Sequence, residues 1–146
     1  MNEQRIRKEA KALDDAIEKG NIKEILPFFS NDCKIELFGI ELQGEKGLNR
    51  ALEWMNNHLS NIKLTPVVIM VENGTFFEEF IVDANTANGN RVKIKQAEVL
   101  KYNKDYKVKS LRLYFDRLLL AKESANNIFE KWLVNRIISS STKGLD

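Results

Sequence analysis

Cysteine and histidine are nearly absent: Cys33 and His58 are the only examples in 146 residues. A lone thiol forms no internal disulfide and no thiolate metal cluster, which fits a reducing compartment. The lone imidazole has no second histidine, and no Asp or Glu lies at helical spacing on its face. No metal and no cofactor are therefore expected. A block of one charge is also missing. The 23 Lys and Arg against 21 Asp and Glu leave +2, and the two signs alternate, so nucleic acid finds little electrostatic footprint. No apolar run approaches a membrane span. The opening MNEQRIRKEAK lacks the apolar core of a signal peptide. There is no GxGxxG, phosphate loop or nucleophile elbow, and Gly44-Glu45-Lys46-Gly47 reads as the start of a helix. These absences predict a soluble, cytoplasmic protein that binds neither nucleic acid nor membrane.

What is present suits a real hydrophobic core, with 43% hydrophobic and 30% charged residues. A single domain is expected over 1–138, including a C-terminal helix at 118–138, with 139–146 as a disordered tail. Ile6, Ala10, Leu13, Ala16 and Ile17 recur at helical spacing from Glu3 to Lys19, and Gly20 closes that helix. Asn21, with Glu24 three residues on, opens a short second helix through Phe29, which Pro27 ends or bends. A strand over Cys33–Phe38 follows. Leu48, Ala51, Leu52, Met55 and Leu59 then form one stripe of a helix over Glu45–Ser60, with Trp54 and His58 on its flank.

From Ile62 the period changes to two. Strands are predicted over Lys63–Glu72, Thr75–Ala84, Arg91–Tyr102 and Tyr106–Phe115, with turns at Asn73-Gly74 and Asn88-Gly89. The apolar centre of the first, Val67–Val71, predicts burial on both faces, and Pro66 belongs near its start or at a bulge. Helices first, then an antiparallel meander, predicts an α+β fold. The chain is organised around Lys107–Leu120, a last strand ending in a carboxylate, Asp116, where it turns into a helix.

The segment EKGNIKEILPFFSNDCKIELFGIELQGEKGLNRALEWM resembles the opening of SnoaL-like and ketosteroid-isomerase-like proteins of the nuclear-transport-factor-2-like superfamily. LRLYFDRLLL resembles their closing strand. The resemblance implies a cone-shaped fold, with N-terminal helices packed on a curved, mainly antiparallel sheet around a pocket for a small, mostly apolar molecule. The C-terminal helix is an addition to it, and a homodimer is implied. Ketosteroid isomerases place a tyrosine on the first helix, a base after the first-strand glutamate and a protonated acid on the penultimate strand. The matching positions here are Leu13, Leu37 (after Glu36) and Glu98. Leucine accepts no proton, so the resemblance stops short of steroid isomerisation. SnoaL-type cyclases use an acid at the end of the last strand, matched by Asp116, with a histidine and an amide on the strand before. Gln96 and Glu98 stand there, without a histidine.

Each candidate side chain has a structural reading beside its functional one. Asp116 is either a proton acceptor next to Tyr114 and an apolar wall or a helix N-cap; its parity opposes Leu111, Leu113 and Phe115. Glu98 is either a buried, protonated hydrogen-bond donor or an exposed strand residue beside a lysine. His58 is a proton relay on the pocket wall or a boundary residue, and Trp54 packs or binds. Either Glu78 or Glu79 faces inward, where it needs a partner such as Arg112. The expected function is binding of a small hydrophobic molecule with cofactor-free acid–base chemistry: isomerisation, cyclisation, dehydration or hydrolysis. Asp116 would accept the proton, assisted by Glu98, Gln96, His58 or Tyr114, while Trp54 and Glu79 would contact the ligand. A noncatalytic binding or interaction module is the alternative, favoured by Leu13 and Leu37. The C-terminal helix, with Phe129 and Trp132, is expected to dock on the sheet or on a partner.

Overall fold

The computed structural model describes residues 1–125 and 127–144. Helix α1 (Glu3–Lys19), α2 (Ile22–Ile25) and a 3-10 turn (Leu26–Phe28) lead into the hairpin β1 (Phe29–Leu37) and β2 (Ile40–Gln43). Helix α3 (Gly44–His58) follows. The strands β3 (Leu59–Glu72), β4 (Thr75–Thr86), β5 (Arg91–Tyr102) and β6 (Val108–Phe115) precede α4 (Arg117–Ser124) and α5 (Ile128–Ser141). This is the expected α+β arrangement. One curved sheet runs in the order β2-β1-β6-β5-β4-β3. All its neighbours are antiparallel except β1 and β6, which are parallel.

Local chemistry sets these elements. Asn2 caps α1 by accepting from the Arg5 N–H at 3.0 Å, and Gly20 ends it at φ 70°, where a side chain would be strained. The Ile6, Ala10, Leu13 and Ala16 stripe is buried as the helical spacing predicts. In the β3–β4 turn Asn73 and Gly74 both take positive φ, the mirror-image turn that matches strand twist. Strict alternation follows on β4 and β5: every second residue is buried. One face of the sheet is therefore lined continuously and the helices cover it.

Two buried clusters result. Ile6, Leu13, Ile25, Ile35 and Leu100 form one under α1. Ile62, Phe80, Val82 and Ile94 form the other, toward α4.

The structure corrects several expectations. The strand β2 was not foreseen, because four residues give too little alternation to read. Val67–Val71 is not buried on both faces: β3 is an edge strand, and Val67 and Met70 are 52% and 56% exposed. Pro66 does sit at a bulge, as expected, with the register shifting between Pro66 and Val68. The helix expected over 118–138 is two helices separated at Ala125. The second continues to Ser141, into the expected tail, whose residues 145–146 lie outside the described residues. Among the described residues helix α5 packs chiefly on α4, leaving Phe129 69% and Trp132 51% exposed.

Candidate active site

Between the two clusters lies a cavity of about 130 Å³. Ile17, Leu52 and Met55 wall it from the helices, and Phe80, Ile94 and Leu113 from the sheet. Against this hydrocarbon wall stand Asp14, Gln96 and Glu98. Asp14 arrives on α1, on the same side as Ala10, Leu13 and Ile17. Gln96 and Glu98 arrive by strand parity, alternating inward with Ile94 and Leu100. Glu78, between Phe76 and Phe80 on β4, is only 2% exposed and stands directly opposite Glu98 in the β4–β5 register. Asp14, Glu78 and Glu98 each place a carboxylate oxygen within 4.8 Å of the others. Tyr102 lies on the same face of β5, four residues beyond Glu98. Its hydroxyl and Glu78 Oε1 are buried without a hydrogen-bond partner among the described residues.

Three carboxyls so close in an apolar setting cannot all ionise near neutrality. Burial pushes Glu98 up to about 8, with the charges of Asp14 and Glu78 adding to the effect. Burial, then the charge of Glu78, pushes Asp14 up to about 7, and burial alone takes Glu78 to about 7. The Tyr102 phenol is raised as well, by burial and then by Glu98. At neutral pH the protons belong to the cluster as a whole, which contains both a protonated donor and an ionised acceptor.

The same oxygens are close enough to surround a cation. The donor set fits a metal poorly. Oxygen-only ligands suit hard cations that keep several waters, and the adjoining wall is hydrocarbon.

Of the residues singled out in the sequence, Glu98, Gln96 and Trp54 line the cavity. Glu98 takes its buried reading, at 9% exposed. Asp116 is not brought to the cavity: it is the exposed N-cap of α4, accepting from the Leu118 and Leu119 N–H groups at 2.9 and 3.2 Å. Tyr114 shares that outward parity and is exposed. Glu79 is half-buried on the opposite face from Glu78, which is the inward acid of the pair. His58 is exposed, stacks on Trp54 at 4.6 Å and holds its Nδ1 2.8 Å from the Trp54 carbonyl. It lines a surface groove on the far side of Trp54 rather than the cavity.

The sequence reading missed Asp14 and Tyr102 altogether. An acid on the apolar side of α1, between Leu13 and Ile17, was the available signal for Asp14. For Tyr102 it was an inward parity shared with Glu98.

At one end aromatic rings wall the cavity. Phe38, at the β1–β2 turn, packs edge-on against Trp54 and Phe115, with ring centroids 4.8 and 4.9 Å away. Its φ of 57° is left-handed, a strained value for a bulky residue. The Arg117 guanidinium donates to its carbonyl at 3.2 Å.

No protein-family model matches the chain, and no curated protein matches it in sequence. Solved structures do match in shape. A putative polyketide cyclase from Xanthomonas campestris pv. campestris aligns at a TM-score of 0.76 and 18% identity, over 86% of this chain and all 100% of that one. An NTF2-like protein of unknown function from Burkholderia pseudomallei K96243 aligns at 0.75 and 11% identity, over 86% and 100%. The epoxide hydrolase/cyclase-like enzyme SalBIII, of pyran ring formation in the polyether salinomycin, aligns at 0.72 and 15% identity, over 80% and 94%. At such identities the likeness is one of architecture: the chain has the α+β cone fold of the nuclear-transport-factor-2-like proteins.

Proposed function

We propose that the protein binds a small, mostly apolar molecule in the cone and moves a proton on it without a cofactor, through the Asp14–Glu78–Glu98 cluster. The observation that carries this reading is three carboxylates within 4.8 Å of one another beside a hydrocarbon-walled cavity. Glu98, the group held protonated to the highest pH, is the donor to a carbonyl or developing oxyanion. Asp14, more easily ionised and also on the cavity wall, is the base. Gln96 orients the ligand, and Glu78 supplies the charge that keeps its neighbours from ionising together. The cyclases among the structural neighbours support a reaction of the isomerisation or cyclisation class. Asp116 has no part in this version of the chemistry.

Hydrogen–deuterium exchange of cyclohexanone in D2O, followed by proton NMR, tests it. Loss of the α-proton signal faster than in buffer, and slowed by about 10²-fold or more in Asp14→Asn, is expected. A ligand that binds without exchange would instead establish the noncatalytic reading, which Leu13, Leu37 and the capping role of Asp116 favour. We also propose a homodimer, supported by the apolar side chains that β3 and α5 leave exposed.

A further inference from the structure

The cavity wall carries two ionisable side chains among the described residues, and both are acids: Asp14 and Glu98. Nothing on that wall neutralises them. Lys11, the cation nearest Asp14 on its own helix, is exposed and pairs with Asp15 at 3.1 Å. Lys63 on β3 is held by Glu18 at 2.9 Å, and Glu18 also accepts from the Leu64 N–H. The groups of β4 and β5 facing the cluster are Glu78 and Tyr102, which add negative or neutral oxygens, and Glu9 of α1 adds another acid toward Tyr102. Two buried oxygens there, Glu78 Oε1 and the Tyr102 hydroxyl, have no hydrogen-bond partner among the described residues. The Glu78 and Tyr102 side chains are 2% and 7% exposed.

A hydrocarbon chamber with an uncompensated acidic end matches a molecule of the converse make-up. Resting on the apolar-ligand reading above, we infer that the natural ligand carries one basic nitrogen, bound as an ammonium on the Asp14 carboxylate beside the Glu98 carboxyl, with its hydrocarbon body filling the chamber. An anion is repelled by the same field. A neutral hydrocarbon fills the chamber but leaves the acids unpaired. Zinc finds no nitrogen or sulfur donor in the cluster, and a hard divalent ion, which keeps several waters, meets an apolar wall where they would sit. An organic ammonium brings both the charge and the apolar surface. Size narrows the class further: the chamber, about 130 Å³, is close to the roughly 150 Å³ apolar cavity that takes benzene. One six-membered ring or its aliphatic equivalent is the body that fits.

The proton balance follows from the same groups. Binding an ammonium beside a protonated carboxyl converts that carboxyl to carboxylate and releases the proton to solvent, with no other bond made or broken. Affinity for an amine therefore rises with pH through neutrality, while affinity for a neutral isostere does not.

The test is calorimetric titration of the full chain with benzylamine, ethylbenzene and benzoate, in two buffers of different ionisation enthalpy. Benzylamine is expected to bind at least about tenfold tighter than its neutral isostere ethylbenzene. Benzoate is expected not to bind. Proton release should accompany benzylamine alone, and its preference over ethylbenzene should vanish in Asp14→Asn and Glu98→Gln, with folding of each checked by circular dichroism. The wild-type comparison of the three probes decides the matter even if a variant fails to fold. Equal binding of benzylamine and ethylbenzene overturns the amine and leaves the apolar pocket standing. Binding of neither overturns both readings. Tight binding of manganese or calcium chloride that excludes benzylamine overturns the amine in favour of a metal site.

Discussion

Glu98→Gln replaces a buried carboxyl by a neutral group of nearly the same shape, so its effect isolates the cost of ionisation. In the folded chain the carboxyl is raised from 4.5 to about 8. An acid whose folded value is raised holds its proton in the native state after the unfolded chain has released it. Stability is then full on the acid side and lost as pH rises from the ordinary range toward 8. Between 4.5 and neutrality each pH unit removes about 1.4 kcal/mol, roughly 3 kcal/mol in all, an upper figure because Asp14 and Glu78 share the protons. Urea titrations followed by far-UV circular dichroism at pH 4.5, 5.5, 6.5 and 7.5 read it directly. At the lowest pH the two proteins should agree within about 1 kcal/mol. At the highest the glutamine variant should lead by roughly 3 kcal/mol, which is about 6–12 °C in Tm for a chain of this length. Parallel pH profiles, or a variant that falls behind as pH rises, would refute a buried and uncompensated Glu98.

Other perturbations separate the parts of the site. Asp116→Ala removes two capping bonds and should cost about 1 kcal/mol of stability while leaving ethylbenzene affinity unchanged; a binding loss in the same titration would return Asp116 to the site. Leu52→Ala, at a buried wall position, should cost about 2–5 kcal/mol and admit a larger ring such as naphthalene, read by NMR shifts of the Trp54 indole. Cys33 is fully buried, and burial pushes its thiol up. Ellman's reagent should therefore label it only as fast as the chain opens globally, and rapid labelling of the native protein would contradict that packing.

The elements were legible where periodicity is long: α1, α3 and the strands β4 to β6 follow from the spacing of apolar residues. Position within the sheet was not. Val67–Val71 has the composition of a central strand, yet it lies on an edge, because strand order is a property of the whole chain and not of the segment. The site was half legible for a similar reason. Parity placed Glu98 and Gln96 on one face, but Glu98 becomes exceptional only when Glu78 comes opposite it and Asp14 is laid over both. Those meetings join residues far apart in sequence. Asp116 shows the converse, since an acid at a strand end before a helix reads equally as cap or catalyst until its two hydrogen bonds are seen.

The turn carrying Phe38 has a bearing on time as well as on shape. Its ring packs on those of Trp54 and Phe115, where Phe115 lines the cavity, Phe38 the groove outside, and Trp54 both. A molecule exchanging through this end must wait for the rings to part, so its residence is set by the hairpin's opening as much as by its affinity. The left-handed backbone at Phe38 stores about 1 kcal/mol or more. Phe38→Gly relieves that strain and removes the plug together. Ligands of unchanged equilibrium affinity should then enter and leave faster, and the same substitution that relaxes the backbone shortens the clock of the site.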